Sequence, residues 1–291
     1  MRHMELKALA KINLGLDVLG RRENGYHDVR MIMQSVYLYD EVKLDQSEEP
    51  GIRVGTNLGF LPTGEGNIAY KAAQMLTDEF GIGPGIDISL NKHIPVAAGL
   101  AGGSADAAAV LFGLNRMFGL KLSQKELMER GVKLGADVPY CIMRGTVLAE
   151  GIGEELTVLP AMPKCTVLIA KPPVSVSTKV VYEALDAREI TVHPDIDGII
   201  EGLKEGNLKR IASSMGNVLE SVTIPMHPVI EQIKDEMKAA GALNAMMSGS
   251  GPTVFGLFEN RAAARDAQRR IREKALTRQV YVTSIHSVRR K

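Results

Sequence analysis

Residues 94–109, IPVAAGLAGGSADAAA, set a glycine-rich turn directly before an alanine-rich helix start. Gly99, Gly102 and Gly103 carry no side chain to hold a ligand off the backbone, and glycine reaches dihedrals that turn successive amide hydrogens inward. Ser104 and Asp106 stand where N-cap residues belong. The helix expected from Ala105 onward aims its unpaired amides and the positive end of its dipole at the turn, which suits a phosphate. The stretch is not a Walker A loop, because no Lys-Ser or Lys-Thr closes it, and it lacks the G-x-G-x-x-G spacing of a dinucleotide fingerprint. Close packing of a helix on a strand uses the same small residues, so the pattern alone leaves both readings open.

A chain of 291 residues is longer than one ordinary core, and two domains of about 130 to 160 residues are expected. Pro160 and Pro163 punctuate the sequence at the corresponding point, dividing it into residues 1–160, with the cradle, and 161–291. Hydrophobic residues at 45% and charged residues at 24% are ordinary globular usage and leave little room for extended disorder. The formal charge of +1, with no long basic run, gives no footprint for nucleic acid and turns the expectation to small-molecule substrates. No apolar stretch is long enough to cross a bilayer and the N-terminal residues show no cleavable leader, so a cytoplasmic protein without a membrane partner is expected, as monomer or homodimer. Cys141 and Cys165 make neither a C-x-x-C pair nor a disulfide framework and are read as buried, reduced thiols.

Apolar alternation predicts strands over 6–18 and 31–44, joined by the polar connection GRRENGYHD. Helical spacing follows from Asn67 to Phe80, stopped by Gly81, and then a strand over 85–90 feeds the cradle. The cradle helix is expected to run to Phe118, and Ser123 caps another ending near Gly135. Strands are predicted at 140–143, 146–150, 157–159 and 166–170, and helices at 177–185, 196–203, 208–212 and 228–240. Gly249 and Gly251 form a tight turn ahead of a strand over 253–258; a basic helix over 261–275, read as a solvated face, and a strand over 280–287 finish the chain. Strands and helices without strict alternation favour α+β over a doubly wound parallel sheet.

Four segments carry more polar and glycine detail than packing requires: ALAKINLGLDVLGRRENGYH at 8–27, the cradle, LGADVPYC at 134–141 and MSGSGPTVF at 247–255. In that order they resemble the GHMP kinase family, with its lysine-bearing first strand, P-x-x-x-G-L-x-x-S-type phosphate loop and C-terminal glycine motif. The resemblance spans essentially the whole chain. It departs at Ala97, Ala98 and Ala101, where many relatives have glycine or serine. It implies a two-domain α+β fold, mixed sheets with helices packed on them, and an active site in the cleft between domains. Within the family, the likeness is to members acting on a cytidine-diphosphate-linked polyol: they transfer the γ-phosphoryl of ATP to the 2-hydroxyl of a methylerythritol unit, in the non-mevalonate route to isoprenoid precursors.

By that resemblance Asp137 is the base that takes the hydroxyl proton, and Lys11, an unusual residue within an apolar strand, holds the carboxylate ionised. The nucleotide is implied to lie on Pro95, Val96, Ala97, Ala98, Gly99, Leu100, Ala101, Gly102, Gly103 and Ser104, with Mg²⁺ bridging its phosphates and Ser104 as a metal ligand. Asn67, by itself a helix cap, is implied to touch the adenine. Tyr26 and Tyr182 are implied to flank the cytosine ring, with His27 on its edge and Asn13 and Thr178 lining the same cleft. Tyr26 stands out without the family too, because a tyrosine in a polar glycine-bearing loop has no core to fill, in a chain with 7 Tyr, 6 Phe and no Trp. The turn at 248–251 is read as backing for the phosphate loop. Rival readings are a kinase of the same family for homoserine, mevalonate or a sugar, which the GYHD loop disfavours, and a nucleotide-binding module without catalysis, which has no need of Lys11 and Asp137. An RNA-associated α+β protein lacks its basic and aromatic motif.

Overall fold

The computed structural model describes residues 2–186 and 190–288. In chain order the first half runs β1 (His3–Arg21), β2 (His27–Ser47), β3 (Ile52–Thr56), α1 (Ile68–Phe80), β4 (Gly85–Asn91), α2 (Gly102–Met117), α3 (Gln124–Val132), α4 (Val138–Met143), β5 (Thr146–Glu150) and β6 (Glu155–Val158). The second half runs β7 (Thr166–Lys171), α5 (Thr178–Asp186), α6 (Ile196–Glu205), α7 (Leu208–Ser214), β8 (Gly216–Asn217), α8 (Glu220–Met226), α9 (Val229–Ala239), β9 (Asn244–Met247), β10 (Val254–Phe258), α10 (Arg261–Glu273) and β11 (Gln279–Ser284). Two compact units interleave in sequence. The first holds Met1–Ala10, Leu38–Val96 and Ala101–Met143; the second holds Lys11–Tyr37, Ala97–Leu100 and Arg144–Lys291.

In the first unit, β4 pairs antiparallel with the C-terminal half of β2 (Glu41 opposite Asn91) and parallel with β3 (Ile52 opposite Ile86). Helix α1 begins at Asn67, whose side chain accepts from the Ala69 amide, and ends at Gly81 in the left-handed conformation. It buries Ala69, Ala72, Ala73 and Leu76. Helix α2 is made of small residues because it lies close to the strands: a Cβ on Gly113 would run into Leu44 and Leu6. Helix α3 opens with a reciprocal capping box between Ser123 and Glu126.

In the second unit, β5 lies antiparallel on the N-terminal half of β2 and on β6, while β8 lies parallel on β1 with Gly15 opposite Gly216. A separate antiparallel sheet has the order β11-β7-β10-β9. Its inner strand β10, VFGLF, is buried at every position, as an apolar run without alternation requires. Helix α10 covers part of this unit through Ala264, Ala267 and Ile271 and turns its arginines outward, where Arg269 pairs with Asp266 and Glu273.

Three sequence expectations are corrected. Helix α2 starts at Gly102, three residues early, because Ala101 takes a left-handed φ of 57° and caps it without a side chain. Ser104 therefore lies in the first helical turn, and Asp106 is turned into the core. Residues 140–143 belong to helix α4, not to a strand, since a six-residue apolar run fits either period and contact decides: Gly131 of α3 leaves room for Val138 and Ile142. Strands β3, β8 and β9 and helix α8 were not predicted at all, all being seven residues or shorter.

Candidate active site

The glycine-rich loop, expected from the sequence to cradle a phosphate, leaves β4 at Asn91 and enters α2 at Gly102. Three of its residues have positive φ: Ala97 at 49°, Gly99 at 70° and Ala101 at 57°. Alanine in this region is strained, since its Cβ crowds the backbone, so surrounding contacts have to hold the shape. Those contacts are present at both ends and in the middle.

The middle belongs to the second unit. Leu100 O accepts the Lys11 amide at 3.1 Å, which pins the loop to β1. Gly99 O accepts the Ser248 hydroxyl at 3.0 Å, and a Cβ on Gly99 would overlap Ser248 O, so only glycine fits. A Cβ on Gly249 would stand 3.4 Å from Gly99 O and 3.5 Å from Lys11 Nζ. The loop, the 248–251 turn and Lys11 thus meet at one place, as the sequence reading of that turn expects. Lys11 is 5% exposed, and its Nζ donates to Asn13 Oδ1 at 2.8 Å. It is an inward residue and not the exposed side of an edge strand. Asn13 in turn donates to Met31 Sδ at 3.3 Å. The turn itself is held by Asn217, whose amide donates to Met247 O and Gly249 O, both at 2.9 Å.

Thr178 opens α5 and shares a hydrogen bond with Ser250 at 2.8 Å between hydroxyl oxygens. One turn further, the Tyr182 ring lies 4.8 Å from the His27 ring, tilted by 39°. His27 Nε2 donates to Asp186 Oδ1 at 2.6 Å, and Arg21 stands 3.3 Å from the other carboxylate oxygen. This bond occupies Nε2 and leaves Nδ1 for a second partner. His27, Asp186 and Arg21 border a cavity of about 320 Å³ together with Val18, Leu185 and His193. Tyr26 projects from the neighbouring loop at 59% exposure.

The ends belong to the first unit. Asp40 of β2 accepts the His93 and Ile94 amides through Oδ1 at 2.6 and 2.8 Å, while its Oδ2 pairs with Lys92. Lys92 pairs equally with Asp106 of α2. Burial pulls the Lys92 ammonium down, and the charges of Asp106 and Asp40 outweigh it, so its pKa lies above the ordinary lysine value. Burial pushes the Asp106 carboxyl up to about 7, opposed by Lys92 and reinforced by the Asp40 charge. Asp137 directly precedes α4, where its carbonyl accepts the Cys141 amide at 3.0 Å; it follows a helix as expected, and what it precedes is another helix instead of a strand. Asn67 spends its Oδ1 on the Ala69 amide and its Nδ2 on Pro62 O, at 2.9 Å each.

Sequence reasoning missed Asp186, Asn217, Asp40 and Lys92, and it gave Asp106 the wrong task. Lys92, beside apolar Ile94 and Pro95, and Asp106, within an alanine run, were the visible signals: charges in stretches that are otherwise core.

The family description "GHMP kinases N terminal domain" matches residues 67–145, and "GHMP kinases C terminal" matches residues 199–276. The chain is 60% identical, over 97% of its length and 98% of the relative's, to a protein of Lachnospira eligens named 4-diphosphocytidyl-2-C-methyl-D-erythritol kinase. A protein of the same name from Lachnoclostridium phytofermentans is 59% identical over 91% of each chain. The crystal structure of a 4-(cytidine 5'-diphospho)-2C-methyl-D-erythritol kinase superposes with a TM-score of 0.83 at 31% identity, covering 98% of this chain and all of that one. A homoserine kinase from Cytophaga hutchinsonii, at 24% identity and a TM-score of 0.78, shares the fold. The α+β fold read from the sequence is that of these enzymes, and the chain belongs to the GHMP kinase family of small-molecule kinases.

Proposed function

We propose that this chain transfers the γ-phosphoryl of ATP to the 2-hydroxyl of 4-diphosphocytidyl-2-C-methyl-D-erythritol, giving the 2-phosphate and ADP. The observation that carries the phosphoryl-transfer reading is the meeting of Lys11, the loop at Gly99 and the turn at Gly249, which sets a buried ammonium beside a backbone surface stripped of side chains. The names of full-length relatives at 59% and 60% identity support the acceptor. Amides of residues 99–104 hold the phosphates, and we keep Asp137 and Lys11 as the catalytic residues, with Asp137 taking the proton of the attacking hydroxyl. We keep Pro95, Val96, Ala97 and Ala98 as the loop's entry and Asn67 as an adenine neighbour.

Among the described residues no group of three or more His, Cys, Asp and Glu side chains is placed to hold a metal ion. A cation fits only if it brings oxygen ligands with it, as Mg²⁺ on a triphosphate does, and the Ser104 hydroxyl is the protein ligand we assign. When bound, Mg²⁺ neutralises charge on the phosphate oxygens.

The acceptor base is read by His27. With Asp186 fixing the proton on Nε2, the lone pair on Nδ1 matches the exocyclic amine of cytosine and opposes the carbonyl of uracil. Tyr182 and Tyr26 supply the stacking faces, and Asn13 and Thr178 line the same site. No described helix is long and apolar enough to cross a membrane. A cytoplasmic location and a boundary near residue 160 between two domains stay our proposals. The test removes each ring in turn. Tyr26→Ala and Tyr182→Ala should weaken acceptor binding about 5- to 150-fold, the range of a lost base stack, with ATP affinity unchanged. Unchanged acceptor constants in both variants leave a kinase of the family with some other acceptor.

A further inference from the structure

We propose that Asp40, Lys92 and Asp106 form a buried clasp whose task is to position the phosphate loop, a role that rests on reading residues 95–104 as the phosphate site of ATP. The three side chains come from β2, the exit of β4 and the second turn of α2, with exposures of 0%, 8% and 3%. Together they touch both ends of the loop. Asp40 Oδ1 takes the last two amides before Pro95. Its Oδ2 would lie 3.5 Å from a Cβ on Gly102, where the loop ends. Lys92 is itself part of the entering segment and reaches across to Asp106, so the chain from 92 to 106 closes on itself through one ion pair. The Lys92 backbone is fixed as well, since its amide donates to Asn57 Oδ1 at 2.8 Å and its carbonyl accepts from Asn57 Nδ2 at 3.2 Å.

Ordinary packing does not ask for this. Two carboxylates on one buried ammonium are a poor device for stability, because apolar residues of similar volume do as well. Asp106 Oδ1 has no hydrogen-bond partner among the described residues, a further cost that a purely structural cluster would avoid. What the cluster does provide is direction. Side chains hold consecutive backbone groups at 92–94 in place of a neighbouring strand, and the loop beyond contains two left-handed alanines that relax if its ends are released. Asp40, Lys92 and Asp106 act on bound phosphate only through that backbone, so they are positioning residues.

The experiment compares wild type, Gly102→Val, Asp106→Asn and Asp40→Asn for melting temperature, ATP affinity by calorimetry, and kcat and KM for each substrate. In Asp106→Asn, Lys92 keeps Asp40, so the protein should fold and melt close to wild type. Its ATP KM should rise about 10- to 100-fold, the cost of displacing a binding surface by roughly 1 Å, with the acceptor KM within about 2-fold. Asp40→Asn should show the same split to a larger extent; if it does not fold, Asp106→Asn decides alone. Wild-type ATP KM and kcat in Asp106→Asn overturn the proposal, as does an equal rise in both KM values with a lowered melting temperature. If wild type fails to bind ATP, or Gly102→Val binds it normally, the phosphate-loop reading is what fails, and the clasp loses its task with it.

Discussion

At the scale of single residues, the loop makes sharp demands. Gly99 sits at a φ of 70° with Ser248 O where a side chain would be, so Gly99→Ala should lower both the melting temperature and ATP affinity. Gly102→Val should harm ATP binding more than Ser104→Ala, because Ile94 already lies 3.1 Å from the place of a Cβ on Gly102. Calorimetry on the two variants checks the order, and equal loss points to the hydroxyl and away from the backbone. Asp137→Asn should fold, bind ATP and lose about 100-fold or more in single-turnover rate, the usual contribution of a placed base. If Lys11 works with it, Lys11→Ala combined with Asp137→Asn costs less than the product of the separate losses. For the base, His27→Ala and Asp186→Asn should both relax the preference for cytosine over uracil analogues, the second because it frees the Nε2 proton. Preference unchanged in Asp186→Asn removes the tautomer argument. Of these residues Lys11, Gly99 and Gly102 stood out in the sequence, since each breaks the rule for its surroundings. Asp186 did not, because its partner His27 lies 159 residues away.

At the scale of elements, local chemistry was legible and distant chemistry was not. The ends of α1 were marked by Asn67 and Gly81, and the start of α3 by Ser123, because capping is settled within three or four residues. Ser123→Ala should accordingly cost about 1 kcal/mol of stability and leave ATP affinity alone, which a denaturation curve with a binding titration can show. A loss of ATP binding there would mean that α3 bears on the loop. The start of α2 was misread because the serine looks like a cap, while the observed cap is an alanine in a glycine conformation, held by contacts the sequence does not display. Helix α4 was misread because six apolar residues carry no usable period. Asn217 on β8 escaped notice for a related reason: a two-residue strand has no pattern, and its carbonyl partners lie 30 and 32 residues on.

At the scale of the whole molecule, the two compact units interleave in sequence. Long strands β1 and β2 each contribute to both units, and segment 97–100 belongs to a different unit from the residues flanking it. Composition did foresee the state of the cysteines. Cys141 and Cys165 are buried and form no disulfide, and burial pushes the Cys165 thiol up to about 12. The folded chain should therefore leave a thiol reagent unconsumed at pH 8 and react at both positions in denaturant; rapid labelling of the native protein contradicts this. Because the folded thiol keeps its proton to higher pH than the unfolded one, Cys165 lowers stability as pH rises from about 9 to about 12.

Acceptor choice is what sets the proposed activity apart from that of other kinases of the family. Purified enzyme with ATP and Mg²⁺ should phosphorylate 4-diphosphocytidyl-2-C-methyl-D-erythritol with a kcat/KM at least about 100-fold above that for methylerythritol phosphate lacking the nucleotide, for homoserine or for mevalonate, since a site built around a base leaves its polar groups unpaired without one. Equal efficiency with an acceptor that carries no cytidine, or no transfer to the cytidylyl compound, contradicts it.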